Sequence, residues 1–418
     1  MGDATQDASA RDAAEAAARR SYGRLVAFLA ARARDVAAAE DALSAAFEAA
    51  LRDWPQHGVP DNPEAWLYTA ARRSMIDAAR RRATHDAAAP DLLLVADLST
   101  EDLAERAIPD ERLALMFACA HPAIDAGVHA PLMLQTILGF DAASIASAFL
   151  VAPSAMGQRL VRAKAKIKQA RIPFRIPDAD ELPERVDAVL RAIYATYSAG
   201  WSDPAGTDSC LRNLAGEGIW LGRLTVALLP DDAEARGLLA LMLHAEARRA
   251  ARRDAAGHYV ALADQDPRWW DDALIDEAEA LLQRASRLSG PPGRYQLEAA
   301  VQSVHAARRH SGRTDWAAIA ALYDALMSLS GSPVVAINRA VALAESQGAA
   351  AGLAALQQVD DDPRLADYQP YWAARAGLLA RAGDHAAADA AYARAIGLES
   401  DPAVRRFLQA QRARLGPR

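Results

Sequence analysis

DAASIASAFLVAPSAMGQRLVRAKAKIKQAR, residues 141–171, holds a short helix, a tight corner and a longer basic helix. Asp141 stands where an N-cap belongs, and Ile145, Ala148 and Phe149 follow at the three-and-four spacing of a buried helix face. Pro153 suits a first turn and not a helix interior, so residues 150–152 make the corner and a second helix begins near Pro153 or Ser154. In that second helix Met156, Leu160, Val161, Ala163 and Ile167 are read as the inner side. Arg159, Arg162, Lys164, Lys166, Lys168 and Arg171 supply a cationic remainder, with no acid anywhere in residues 152–177. The pattern is a helix-turn-helix whose second helix suits phosphates. Lys164, Lys166 and Lys168 are also the only lysines in the chain; every other basic residue apart from histidine is arginine. A charge run alone usually marks a solvated face. The capped helix and compact turn in front of this one favour DNA binding.

Working outward, 418 residues with 52% hydrophobic and 24% charged content suffice for several cores. Aromatics are scarce, alanine is abundant, and alternating runs are absent, so the expected fold class is all-α. A formal net charge of -7 excludes a general basic coat, so any nucleic-acid contact must be local. The start of the chain is polar and acidic rather than a signal peptide, and no apolar run approaches the ~20 residues of a membrane span. Cys119 and Cys210 lie far apart in helical contexts and are read as reduced core thiols of a cytoplasmic protein.

The reading in order begins with a tail over residues 1–20 and a helical unit over 21–83. Leu25, Val26, Phe28 and Leu29 open that unit, Leu43, Phe47 and Leu51 continue it, and WPQHGVPDNP from Trp54 reads as a loop. PEAWLYTAARRSMIDAARRR from Pro63 reads as a helix with Trp66, Leu67, Ala70, Ile76 and Ala79 inward, and with Trp66 and Met75 as core rather than contact residues. Residues 84–106 read as a linker and 107–176 as a second helical unit containing the helix-turn-helix. Cys119 and His121 lack further ligands at zinc spacing and are read as structural, so no metal is expected. RIPFRIPDADELP marks a boundary before a helical extension over 177–289. There Leu238, Leu239, Leu241, Met242 and Leu243 belong to an interior helix. Asp264, Gln265, Asp266, Arg268, Trp269 and Trp270 crowd one junction, readable either as a regulatory cluster or as a capped helix from Pro267 with tryptophans plugging the core. Residues 290–418 read as paired helices of tetratricopeptide type, with Trp372, Ala376, Gly383, Ala388, Tyr392 and Ala395 at the offsets of a 34-residue repeat. Arg375 replaces a usual leucine, and Pro402 lies two places late.

With these residues in place, the chain resembles bacterial RNA polymerase sigma factors of the extracytoplasmic-function type, in the subgroup with a tetratricopeptide-like extension. AAEDALSAAFEAAL, residues 38–51, resembles the helix that grips the polymerase clamp, with Glu40, Asp41, Ser44 and Phe47 at the matching places. Residues 63–82 resemble the helix that opens and reads the minus-10 element. That likeness implies DNA contacts at Arg72, Arg73, Asp77, Arg80 and Arg81, continuing into Arg82. The helix-turn-helix resembles the minus-35 reader: Ser154, Ala155, Gly157, Gln158 and Arg159 are candidates for base edges, and Arg162, Lys164 and Lys166 for phosphates. Arg73 stands where asparagine is usual, and Gly157 where lysine or arginine is frequent.

The implied partners are core RNA polymerase, at its clamp and flap, and promoter DNA. A regulatory protein or ligand is expected at the extension, and no membrane contact or cofactor is expected. The implied function is promoter specificity controlled by the extension, without catalysis; no Ser/His/acid set, phosphate loop or paired carboxylates in a Gly-rich setting stand out. On this reading truncation after Pro177 should change promoter output. The rival is a helix-turn-helix regulator that answers a ligand or partner through its repeats and has no need of a polymerase-binding helix.

Overall fold

The computed structural model describes residues 2–86, 110–149, 151–201 and 209–415. Among the described residues it is all-α, with one isolated bridge between Arg253 and Tyr259. The chain divides into two compact units, residues 1–218 and 219–418.

In the first unit α1 (Gly2–Ala33) extends through the stretch expected to be a tail. Ala10, Ala14 and Ala17 are buried at three-and-four spacing, a stripe of small residues that gives that stretch a packed face. Arg34 turns the chain in the left-handed region, and Asp35 then caps α2 (Val36–His57), accepting the Ala38 N–H at 3.1 Å. This helix continues past the expected loop start: Trp54 is buried edge-on to Trp66, and Pro55 sits in the last turn. In α3 (Pro63–Asp86) the buried stripe is Leu67, Tyr68, Ala71, Met75 and Ala79, so Trp66, Ala70 and Ile76 lie half-buried at its margins. Arg24 of α1 holds Glu64 of α3, its Nε 2.7 Å from Oε1. The linker at 84–106 falls almost wholly outside the described residues.

The remaining helices of this unit are α4 (Arg112–Cys119), α5 (Ala126–Leu138), α6 (Ala142–Ala148), α7 (Pro153–Gln169) and α8 (Leu182–Trp201). Cys119 is a free, buried thiol against the Thr136 hydroxyl, 3.5 Å away, and burial pushes its pKa up to about 12. The side chain of Cys210 lies outside the described residues. Helix α8, expected to belong to a separate extension, packs on α4 and α5. Val186, Val189, Leu190, Ile193 and Tyr197 are buried, and the nearly buried Arg185 guanidinium donates to the Phe117 carbonyl.

Helix α9 (Ser209–Leu228) runs across the division between the units. The second unit is centred on α10 (Ala233–Ala247), whose Leu238, Leu239, Leu241, Met242 and Leu243 are all buried as expected. It packs on α11 (Asp272–Ala285) and α12 (Arg294–Ala306). The Glu234 carboxylate caps α12 from outside, accepting the N–H groups of Tyr295 at 2.9 Å and Gln296 at 3.1 Å. After the single turn α13 (Arg308–Ser311) come α14 (Trp316–Ser330), α15 (Pro333–Gln347), α16 (Ala349–Gln357), α17 (Gln369–Arg381), α18 (His385–Leu398) and α19 (Pro402–Ala413). The small residues expected between paired helices, Ala376, Ala388 and Ala395, are fully buried between α17 and α18. Arg375, where leucine is usual, binds Asp360 and the Tyr371 hydroxyl.

Candidate nucleic-acid interface

Asp141 begins the site. Its carboxylate accepts the backbone N–H groups of Ala143 at 2.9 Å and Ser144 at 2.8 Å and the Ser144 hydroxyl at 2.9 Å, which holds its pKa below the usual carboxylate range. Ile145 and Ala146 are buried, Phe149 is half-buried, and the side chain of Ala148 lies outside the described residues. Helix α7 then begins at Pro153, its first residue.

Met156, Leu160, Ala163 and Ile167 fix the orientation of α7 as its buried stripe. Val161, read as inward, is 64% exposed: it lies about 100° around the helix from Leu160, outside that stripe. With the stripe inward, Ser154, Gln158, Arg159, Arg162 and Lys166 are exposed, and Ala155 and Gly157 are half-exposed. The Arg162 Nε donates to the Gln158 carbonyl at 3.2 Å. Arg159, Arg162 and Lys166 line a 420 Å³ groove with Ile124, Asp125 and Val128 from the turn and first residues of α5. This face offers cations and short polar side chains to a duplex.

Lys164 departs from that face. Its Nζ donates to Glu40 Oε2 of α2 at 2.6 Å, and both side chains are close to nine-tenths buried, at 13% and 12% exposure. One turn on, Lys168 Nζ donates to Asp35 Oδ2 at 2.7 Å. Burial, opposed by Lys164, raises the Glu40 pKa, and Glu40 Oε1 is buried without a hydrogen-bond partner among the described residues. An expected DNA contact and an expected polymerase contact therefore bind each other.

On the rest of α2, Asp41 and Ser44 are exposed, Phe47 is half-buried, and Leu51 is 48% exposed rather than in the core. On α3, Arg73, Asp77, Arg80 and Arg81 are exposed and Arg72 is half-exposed; the side chain of Arg82 lies outside the described residues. Arg81 Nε donates to the Asp77 carbonyl at 3.3 Å, and Arg80 lies 3.9 Å from the Asp77 carboxylate. Asp41, Ser74, Met75 and Arg81 meet at a 250 Å³ hollow between α2 and α3.

Residues 18–84 match Sigma-70 region 2. The chain belongs to the sigma-70 family. Its role is accordingly sigma-factor-like. The matched segment of this sigma-70 member takes in the second half of α1, all of α2 and most of α3. Residues 185–286, which take in most of α8 and all of α9 to α11, match a family of unknown function, DUF6596. An uncharacterized protein of Rhizobium meliloti (strain 1021) is 39% identical over 384 residues, 90% of each chain. No solved structure matches.

In the extension of this sigma-70 member, the cluster at 264–270 divides. Asp266 caps only the three-residue 3-10 turn Pro267–Trp269, and the α-helix expected from Pro267 starts at Asp272 behind its own cap, Asp271. Trp270 is buried and donates to Gln265 Oε1 at 3.3 Å, whereas Trp269 is 70% exposed. Arg308 ties the loop down through the carbonyls of Ala263 at 2.9 Å and Gln265 at 2.6 Å, its guanidinium 5.0 Å from the Trp270 ring centre. The core-plug reading fits Trp270 and Gln265. Among the described residues no group of three His, Cys, Asp or Glu forms a metal cluster, and no helix is long and apolar enough to cross a membrane.

Asp35, Gly23 and Arg185 were missed in the sequence reading. Asp35 was detectable as an N-cap ahead of VAAAED, but its lysine lies 133 residues away. Gly23, where a Cβ would stand 2.2 Å from the Ile137 carbonyl oxygen, and Arg185 act through contacts that no local pattern encodes.

Proposed function

We propose that the chain is a promoter-specificity subunit that binds core RNA polymerase and directs initiation at minus-10 and minus-35 elements. The carrying observation is the exposed face of α7, where Ser154, Gln158 and Arg159 precede Arg162 and Lys166 on a helix oriented by a capped partner. Base edges are read from its first turns, with Arg159 suited to guanine and Gln158 to adenine, and the later cations hold phosphates. Arg73, Arg80 and Arg81 at the far part of α3 supply the charge needed to hold a displaced strand. Asp41 and Ser44, with Phe47 and Leu51 beside them, form the polymerase-binding surface of α2. Helix α8, docked on α4 and α5, is the means by which the extension bears on the minus-35 reader.

Run-off transcription with reconstituted polymerase tests this reading: the chain should confer initiation at a cognate promoter that core enzyme alone ignores. Asp41→Arg should abolish it by blocking polymerase binding. Undiminished binding of that variant in a pull-down would refute the role of Asp41, and failure of the natural chain to co-purify with core polymerase would favour the rival operator-binding regulator.

A further inference from the structure

Across α15 to α18 arginine is tied to carboxylate. Each arginine of residues 333–398 holds one: Arg339 with Asp324, Arg364 with Asp362, Arg375 with Asp360, Arg381 with Glu345 and Arg394 with Asp367. Helix α19 departs from that rule. Residues 402–418 carry five arginines and no acid, and among the described ones Arg412 alone finds a carboxylate, that of Asp389. Arg405 and Arg406 bond to the main-chain carbonyls of Glu399 and Pro402, which leaves their charge uncancelled, and Arg414 meets no carboxylate among the described residues.

The orientation of α19 is fixed. Ala403 and Leu408 are buried, and Val404 and Phe407 pack with Leu408 against Ala391 and Ala395 of α18. Tyr259 meets Phe407 edge-on at 5.3 Å, and Arg253 holds Asp401, the cap of the helix, at 2.8 Å. With that side inward, Arg405 and Arg406 are exposed. Gln409 is exposed between them, about 40° around the helix from the first and about 60° from the second at ~100° per residue. Charge runs commonly mark nothing more than a solvated face. This one is held in place at several points and lacks the acids that neutralise the arginines of the preceding helices.

We propose that the exposed side of α19 is a sequence-independent binding surface for the phosphates of duplex DNA, carried by Arg405, Arg406 and Arg414. The inference rests on the function proposed above, which brings the chain to promoter DNA. Guanidinium forks match phosphate oxygens, and each phosphate neutralised releases a counterion. The apolar side of α19 is packed inside the second unit, so the helix has no face to sink into a lipid surface. The contact adds affinity at every sequence and leaves the choice of promoter to α3 and α7.

Salt dependence reads this contact in the free full-length chain. On a duplex without promoter elements, the combined variant Arg405→Ala, Arg406→Ala, Arg414→Ala should show a slope of log affinity against log salt shallower by ~2–3. Between about 50 and 200 mM salt the natural chain should therefore lose roughly 15- to 60-fold more affinity than the variant. Gln409→Arg should steepen the slope by about 1, a gain that a misfolded chain would not give. Equal slopes for the natural chain and the triple variant, or no steepening with Gln409→Arg, overturn the proposal. So does binding to phosphatidylglycerol vesicles that the triple variant loses while its duplex slope is unchanged, which would assign the face to a lipid surface. A chain that never co-purifies with core polymerase overturns the function proposed above, and the slopes then still decide the role of α19.

Discussion

Gly157 lies one residue from the buried stripe of α7, and the space around its missing Cβ is open to beyond 4 Å. Glycine in a helix interior costs about 0.5–1 kcal/mol relative to alanine. Gly157→Lys should therefore stabilise α7 and add a cation to its exposed side. Duplex binding should tighten, with a salt dependence steeper by roughly one released counterion. Arg159→Ala and Arg162→Ala separate the two parts of this face. The first should cost ~1–3 kcal/mol on the preferred site and relax the choice at one base pair. The second should weaken binding about equally on all sequences, and footprinting across base-pair variants reads the difference. In the extension, His244 is fully buried, neither ring nitrogen has a hydrogen-bond partner among the described residues, and the Glu279 carboxylate lies 3.5 Å away. Burial foremost, then the charges of Arg248 and Arg309, hold its pKa down at about 3, below the ordinary 6.5. The folded state thus binds this proton more weakly than the unfolded chain does. The stability it contributes is fully present above pH 6.5 and is lost as pH falls toward 3, on the order of a few kcal/mol. His305, held at about 4 by burial, acts in the same direction. Thermal melts between pH 7 and pH 4 should show a falling Tm, with a shallower slope in His244→Leu; an identical slope in the variant would remove His244 from this account.

Among the elements, those whose signals are local were legible. Asp141, the corner and Pro153 announce α6 and α7 because a cap and a proline act within four residues. The alanine offsets of α17 and α18 were legible because small residues there serve one neighbouring helix. The helical class followed from composition. Signals spread across helices were not legible: the cations of α7 are split between solvent-exposed Arg159, Arg162 and Lys166 and α2-facing Lys164 and Lys168, and both groups read as one cationic run. The four-residue series Leu43, Phe47, Leu51 likewise turns from buried to exposed along α2, because the buried stripe runs on through Ala46, Ala50 and Trp54 and a strict four-residue series drifts off it. Arg185 is a third case, since nothing near ELPERVDAV indicates a carbonyl 68 residues back. Its guanidinium satisfies the Phe117 carbonyl near the end of α4, a charge-assisted bond worth about 1.5–3 kcal/mol. Arg185→Ala should lower the stability of the first unit by that amount, and Arg185→Lys should recover part of it. Equal melting of all three chains would show that α8 holds by its apolar face alone.

At the scale of the whole molecule, the compact division falls at 218/219, well beyond the composition boundary at 177. A chain cut after Pro177 loses α8, and with it the burial of Val186, Val189, Leu190, Ile193 and Tyr197 against α4 and α5. At ~1.5–3 kcal/mol for each of these side chains, the loss is about 7–15 kcal/mol, an upper range. That is comparable to the whole stability of an ordinary domain, ~5–15 kcal/mol. Promoter output lost on such truncation would then report a damaged minus-35 unit and carry no information on regulation by the extension. A chain ending after Leu228 keeps α8 and α9 and removes α10 onward. The 1–228 chain should melt cooperatively and co-purify with core polymerase, whereas the 1–177 chain should melt at least 10 °C lower or aggregate, given roughly 2–4 °C per kcal/mol in a unit of this size. Circular dichroism melts of the two fragments decide this. Equal, cooperative melting would show that α8 is a dispensable strap on the sigma segments, and regulation by the extension would then have to act through α8 itself.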